Sequence, residues 1–190
     1  MKRIVFILLL FFIACSSKLP IKGEFPDTLL VDHNGKEFRF SQLRGNVVVV
    51  SYIYTHCPDI CHIISAKMNA FKKVLRENNL EGRVYFVSIT LDPLRDTPEV
   101  LKHHARMMNL DLKNWLFVTG DENAVYSTIE VAGMEAIRGP MSYDERGELS
   151  YLITHRDKIT LVDREGRIRK HYKGTEFDPK ELIKDIKRLL

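Results

Sequence analysis

The chain has little cysteine, no apolar run of membrane-spanning length and no block of like charge, and each shortage removes a class of protein. Three cysteines among 190 residues exclude a small scaffold stapled by several disulfides. The apolar run Ile4–Ile13 rises only about 15 Å as a helix, too short to cross a bilayer. No five like charges follow one another and the formal net charge is +4, which argues against nucleic-acid binding. There is no internal repeat and no low-complexity segment. What remains is ordinary globular composition, 45% hydrophobic and 28% charged, at a length that suits one domain with a full core.

The first residues stand apart. Lys2 and Arg3 precede the apolar run, which then meets Ala14-Cys15, the order of a secretory signal peptide. Phe12-Ile13-Ala14-Cys15 resembles a bacterial lipoprotein box, in which the cysteine becomes the lipidated first residue. We therefore expect a signal at 1–14, lipidation at Cys15, a tether over 15–23 and a domain over 24–190. That places the domain outside the cytoplasm, on the periplasmic side of a bacterial membrane and anchored by lipid. Without Lys2 and Arg3 the formal charge falls to +2. Cys57 and Cys61 are then the remaining thiols, and an exported pair is oxidised unless a metal or a reductant holds it.

Asn34-Gly35 between Phe25–Val31 and Phe38–Phe40 predicts a hairpin. Val47–Tyr54 is β-branched or aromatic apart from Ser51, as in a strand buried on both faces. Ile60, Ile64, Met68, Phe71 and Leu75 recur at helical spacing, with Pro58 expected in the first turn. Val84–Thr90 and Trp115–Thr119 read as strands. Thr97-Pro98, Asp121 and the Asp178–Glu181 capping box open three further helices. Ala132–Leu149 reads as a long irregular loop, and Ile159–Val162 with Arg167–Tyr172 as a closing hairpin. Met107 and Met108 are expected to pack inside their helix. This order predicts an α/β, thioredoxin-like sandwich: a central mixed sheet flanked by helices, with an N-terminal β-hairpin.

Cys57-Pro58-Asp59-Ile60-Cys61 is the most informative stretch. It sets two thiols one helical turn apart at a strand-to-helix junction, where a helix N-terminus favours thiolate. The pair can close a disulfide or chelate one ion. Two thiolates and an imidazole suit copper, whereas structural zinc wants a fourth ligand. Of seven histidines, His56 and His62 flank the cysteines, while His33, His103, His104 and His171 read as solvated or core residues. His155 differs, standing just before the Ile159–Val162 strand on a loop that faces the cysteine edge. A peroxidase would want Thr three residues before its nucleophile, where Tyr54 stands.

Three segments together carry a resemblance: Tyr54-Thr55-His56-Cys57-Pro58-Asp59-Ile60-Cys61, Ser88–Pro98 and Tyr151-Leu152-Ile153-Thr154-His155. In this order they resemble the signatures of the Sco/SenC family. The resemblance implies a thioredoxin fold that binds copper, Cu(I) or Cu(II), through Cys57, Cys61 and His155. It implies service to the dinuclear copper site of cytochrome c oxidase subunit II, by delivering copper or by reducing that subunit's thiols with the pair Cys57 and Cys61. A second periplasmic copper carrier or a thioredoxin-like reductant is the further partner implied. Asp59, Asp92 and Asp96 are candidates to orient the ligands by hydrogen bonding. Two positions depart from the family pattern. His62 replaces the usual proline and is a possible fourth ligand. Arg156 replaces a small hydroxyl residue and is expected to favour thiolate by its charge.

Overall fold

The computed structural model describes residues 19–190, so the expected signal peptide and Cys15 lie outside the described residues. Chain order gives strand β1 (Gly23–Glu24), the hairpin β2 (Leu30–Asp32) and β3 (Glu37–Phe38), then β4 (Val47–Ile53) and helix α1 (Ile60–Glu77). Next come β5 (Val84–Thr90), α2 (Pro98–Met107), β6 (Trp115–Thr119) and α3 (Glu122–Val131). Four short strands follow, β7 (Ala136–Arg138), β8 (Ser142–Tyr143), β9 (Leu149–Ser150) and β10 (Ile153–His155). The chain closes with β11 (Ile159–Val162), β12 (Arg167–Tyr172) and α4 (Pro179–Leu189).

Eight strands form one mixed sheet in the order β1-β12-β11-β4-β5-β6-β2-β3, parallel at β4-β5-β6 and antiparallel elsewhere. Every residue of β4 is buried, because helices cover both faces of the parallel centre. The polar groups this entails are satisfied: the Ser51 and Ser88 hydroxyls bond each other at 2.8 Å and Trp115 Nε1 donates to Ser88 at 2.9 Å. Helices α1 and α4 touch, and His62 of α1 meets His104 of α2, so these three share a face. Helix α3 follows β6, after which the chain returns across the sheet to β11, antiparallel to β4. The architecture is the thioredoxin-like sandwich expected.

Several expectations are corrected. Helix α1 starts at Ile60 with Asp59 as its flanking residue, so Pro58 precedes the first turn. The long loop is not irregular: β7 pairs with β10 and β8 with β9 in two small antiparallel ribbons. Met107 is 73% exposed rather than packed. At α4, Asp178 caps Lys180 N–H, but Glu181 pairs with Lys170 instead of closing a capping box. The described part of the expected tether lies along the domain, with Lys22 N–H donating to the Ile168 carbonyl at 2.8 Å. Lys72, on the apolar face of α1, is buried. Its ammonium donates to the carbonyls of Asp111 (2.6 Å) and Lys113 and pairs with the Asp111 carboxylate, tying α1 to the loop before β6.

Asp163, buried beside β12, accepts from Arg169 at 2.7 Å, from the Arg167 guanidinium at 2.9 Å and from the backbone N–H groups of Arg167 and Glu165. Burial alone would raise its pKa, but these bonds outweigh it and hold the carboxyl below its usual value. The folded pKa lies below the unfolded one. Asp163 therefore stabilises fully above about pH 4, and that contribution is lost as pH falls through the lower folded value. Replacing Asp163 with Asn is expected to cost about 3 kcal/mol at neutral pH and to flatten the acid limb of the stability profile. Denaturation midpoints from pH 2 to 7 check this; matching profiles in both proteins contradict it.

Candidate metal centre

The site is assembled at the carboxyl edge of β4, where the chain leaves the sheet before α1 begins. Tyr54, Thr55 and His56 lead into Cys57, whose N–H donates to the Tyr54 carbonyl at 3.2 Å. Cys57 is 5% exposed and Cys61 fully buried one turn on, and both are free thiols. His155 arrives from the end of β10, 94 residues downstream, with Nε2 3.6 Å from Cys61 Sγ. One ligand atom from each of Cys57, Cys61 and His155 lies within 4.8 Å of the others. The three residues that the family resemblance singled out therefore converge.

Two contacts aim the imidazole. Its Nδ1 lies 3.0 Å from the Arg156 carbonyl, which can only accept, so Nδ1 donates there and Nε2 is the nitrogen turned to the sulfurs. The ring of Tyr54 meets His155 edge-on at 6.0 Å, and its hydroxyl accepts from Ile153 N–H at 3.3 Å, fastening β10 to the cysteine loop. The thiols share a proton unequally. Cys57 is held well below the usual thiol range, because hydrogen bonds from the Cys61 thiol, from His155 and from the backbone N–H groups of Asp59 and Cys61 outweigh burial. Cys61, as that donor and buried, is pushed up. The pair offers one thiolate ready to ligate or attack, and one thiol that gives up its proton when a cation arrives.

Asp92 and Asp96 are fully buried behind the two loops that deliver the ligands. Asp96 accepts from Thr55 N–H at 3.1 Å and from the Thr55 and Thr90 hydroxyls at 2.5 and 2.6 Å. Burial nonetheless raises its carboxyl above the ordinary value. Asp92 accepts from Arg95 at 2.6 Å and from the Tyr151 hydroxyl, and Arg95 reaches on to the Tyr151 carbonyl at 3.0 Å. Asp96 thus holds the loop before Cys57, and Asp92 the segment that leads into β10. The Asp59 side chain makes no capping hydrogen bond and is exposed. His56, Asp92 and Asp96 also bring ligand atoms within 4.8 Å of one another, but the carboxylates are already engaged by the donors just named.

Two expectations at the site change. Arg156 forms a two-pronged pair with Glu135 at 2.8–3.1 Å, so its charge is matched rather than spent on the thiolate. His62 does not join the three-donor cluster; its ring faces His104 instead, with centroids 5.5 Å apart. Sequence reasoning passed over the hydroxyls of Tyr54, Thr55 and Tyr151. All three stand inside the motif segments, and that position was the available signal.

Comparison with known proteins gives consistent matches. The protein-family model described as SCO1/SenC matches residues 16–190. The structure of Bradyrhizobium japonicum ScoI with copper bound is similar at TM-score 0.74 and 26% identity, covering 88% of this chain and 99% of that one. A SCO1/SenC family lipoprotein from Bacillus anthracis is similar at TM-score 0.73 and 26% identity, covering 88% and 95%. BsSco, a member of the Sco family of cytochrome c oxidase assembly proteins in which a disulfide switch was identified, is similar at TM-score 0.73 and 25% identity, covering 90% and 97%.

The Tyr54 hydroxyl is expected to hold His155 in place through β10. Tyr54→Phe should cost about 1–2 kcal/mol, since it leaves the Ile153 N–H without an acceptor. It should also speed amide exchange at Ile153 well above the change at Val49 in β4. Equal protection at Ile153 in both proteins contradicts this.

Proposed function

Because the chain belongs to the SCO1/SenC family, we propose that it is a copper chaperone whose cargo is one tightly held copper ion, bound by Cys57, Cys61 and His155. The observation that carries the reading is the convergence of two sulfurs and one imidazole nitrogen within 4.8 Å. Soft sulfur donors favour Cu(I), and the imidazole tolerates Cu(II) as well. Binding releases the proton that Cys61 shares with Cys57, and the half-buried His155 leaves one side open to ligands from a partner. Copper then passes on by ligand exchange, each sulfur or nitrogen bond replaced by one from the acceptor. The copper-bound ScoI relative supports the cargo, and the oxidase-assembly role of BsSco supports the destination. We take that destination to be the dinuclear copper site of cytochrome c oxidase subunit II.

The placement follows from the same relatives. The lipoprotein relative supports a domain held at the membrane outside the cytoplasm, through lipid on Cys15 after removal of residues 1–14. No helix among the described residues is long and apolar enough to cross a membrane. Copper reaches this site from another periplasmic carrier. Asp92 and Asp96 position the ligand loops without touching the metal, whereas Asp59 acts only through its backbone.

A second reading rests on the thiols themselves. Both are free, they share a proton, and BsSco has a disulfide switch. In this reading Cys57 attacks a partner disulfide and Cys61 resolves the mixed disulfide, which reduces the oxidase subunit and leaves Cys57–Cys61 oxidised until a thioredoxin-like reductant restores it. His155→Ala separates the two, since it should abolish copper retention and spare disulfide reduction.

Copper titration of the reduced chain is expected to show one tightly held, thiol-dependent equivalent with a sulfur-to-copper charge-transfer band. Replacing both Cys57 and Cys61 by Ser should abolish the band. Asp96→Asn, which disturbs the support of Thr55 and Thr90 without removing a ligand, should weaken affinity by about 10–100-fold. A charge-transfer band that survives in the double Ser variant would contradict the copper reading.

A further inference from the structure

Two histidines outside the three-donor cluster sit together. His104, on α2, is 9% exposed, and its Nε2 is buried without a hydrogen-bond partner among the described residues. A buried ring nitrogen left unpaired forfeits about 1–3 kcal/mol of solvation, so it calls for an explanation beyond packing. On one side the ring lies against Phe117 at 6.3 Å, which offers no acceptor or donor. On the other it faces His62, with ring centroids 5.5 Å apart and planes inclined by 50°. His62 is exposed and stands next to Cys61 in the first turn of α1.

The geometry points to a second metal site, in which the His62 and His104 imidazoles take one late first-row divalent cation, with Cu²⁺ bound most strongly. Metal–imidazole bonds are about 2.0 Å, so two rings with centroids 5.5 Å apart are close enough to hold one ion between them. Two neutral nitrogen donors with no carboxylate suit copper, nickel or zinc rather than calcium or magnesium, and copper leads the affinity order. Burial, and the neighbouring His62, hold His104 down at about 4, so its ring is neutral and free to ligate at physiological pH. His62 follows Cys61 directly in α1, which sets this pair beside the sulfurs without including it in their cluster. An ion held here would wait next to the thiols, with His62 at the solvent side.

The site does not depend on the chaperone reading, and its test leaves that reading aside. The full chain with Cys15, Cys57 and Cys61 all changed to Ser contains no thiol, so the three-donor site is gone. Titrated with Cu²⁺ in detergent, it is expected to hold one equivalent whose spin-resonance spectrum shows hyperfine coupling to two imidazole nitrogens. Adding His62→Ala should remove that equivalent, and because His62 is exposed the fold stays intact. Adding His104→Phe, which keeps ring bulk against Phe117, should do the same, whereas His103→Ala and His171→Ala should leave it. Survival of the equivalent and its spectrum after His62→Ala overturns the site, as does a thiol-free chain that binds no Cu²⁺. Either failure leaves the thiol-dependent equivalent and charge-transfer band of the unmodified reduced chain unaffected.

Discussion

The contact between His155 Nε2 and Cys61 Sγ, 3.6 Å apart and 94 residues apart in sequence, is the constraint on which the site depends. Closing so long a loop by a single flexible strap would cost conformational entropy each time the ligands met. Here the fold closes it beforehand. The edge ribbon β7–β10 carries His155, the Tyr54 hydroxyl binds the backbone of Ile153, and the Arg156 carbonyl fixes the ring tautomer. A soft cation therefore meets donors already gathered, and its binding energy goes into bonds rather than into ordering the chain.

Behind this contact lies a buried polar layer. Two fully buried carboxylates would be costly in an apolar setting, yet Asp92 and Asp96 each gather several donors from the segments that flank the ligands. Through Thr55 one of them sets the approach to Cys57. Through Tyr151 and Arg95 the other sets the approach to His155. The arrangement makes the two ligand loops parts of one network, although they enter from opposite ends of the chain. Among the described residues the His104 nitrogen is left unsatisfied, whereas the buried carboxylates of Asp92 and Asp96 are satisfied.

Much of this was legible in the sequence where the determinants are local. Thr97, Asp121 and Asp178 mark helix starts because a capping side chain acts on the next few N–H groups, and all three do so in the structure. The unbroken Val47–Ile53 run could only sit at the sheet centre, which fixes the cysteines at its edge. What failed was non-local or compositionally disguised. Strands β7 to β9 are two or three residues long amid glycine and charge, too short for periodicity to register. Lys72 reads as a surface residue until the carbonyls of Asp111 and Lys113 are known to meet it. The charge of Arg156 looked available because Glu135, 21 residues earlier, gave no sign of its pairing. His62 looked like a candidate fourth ligand because adjacency to Cys61 says nothing about which way a helix turns the ring.

X-ray absorption at the copper edge of the reduced, copper-loaded chain tests the central claim most directly. The account predicts a first shell of two sulfur scatterers and one imidazole nitrogen, with the nitrogen lost in His155→Ala. A shell of nitrogen and oxygen only, or one unchanged by removing His155, would contradict it.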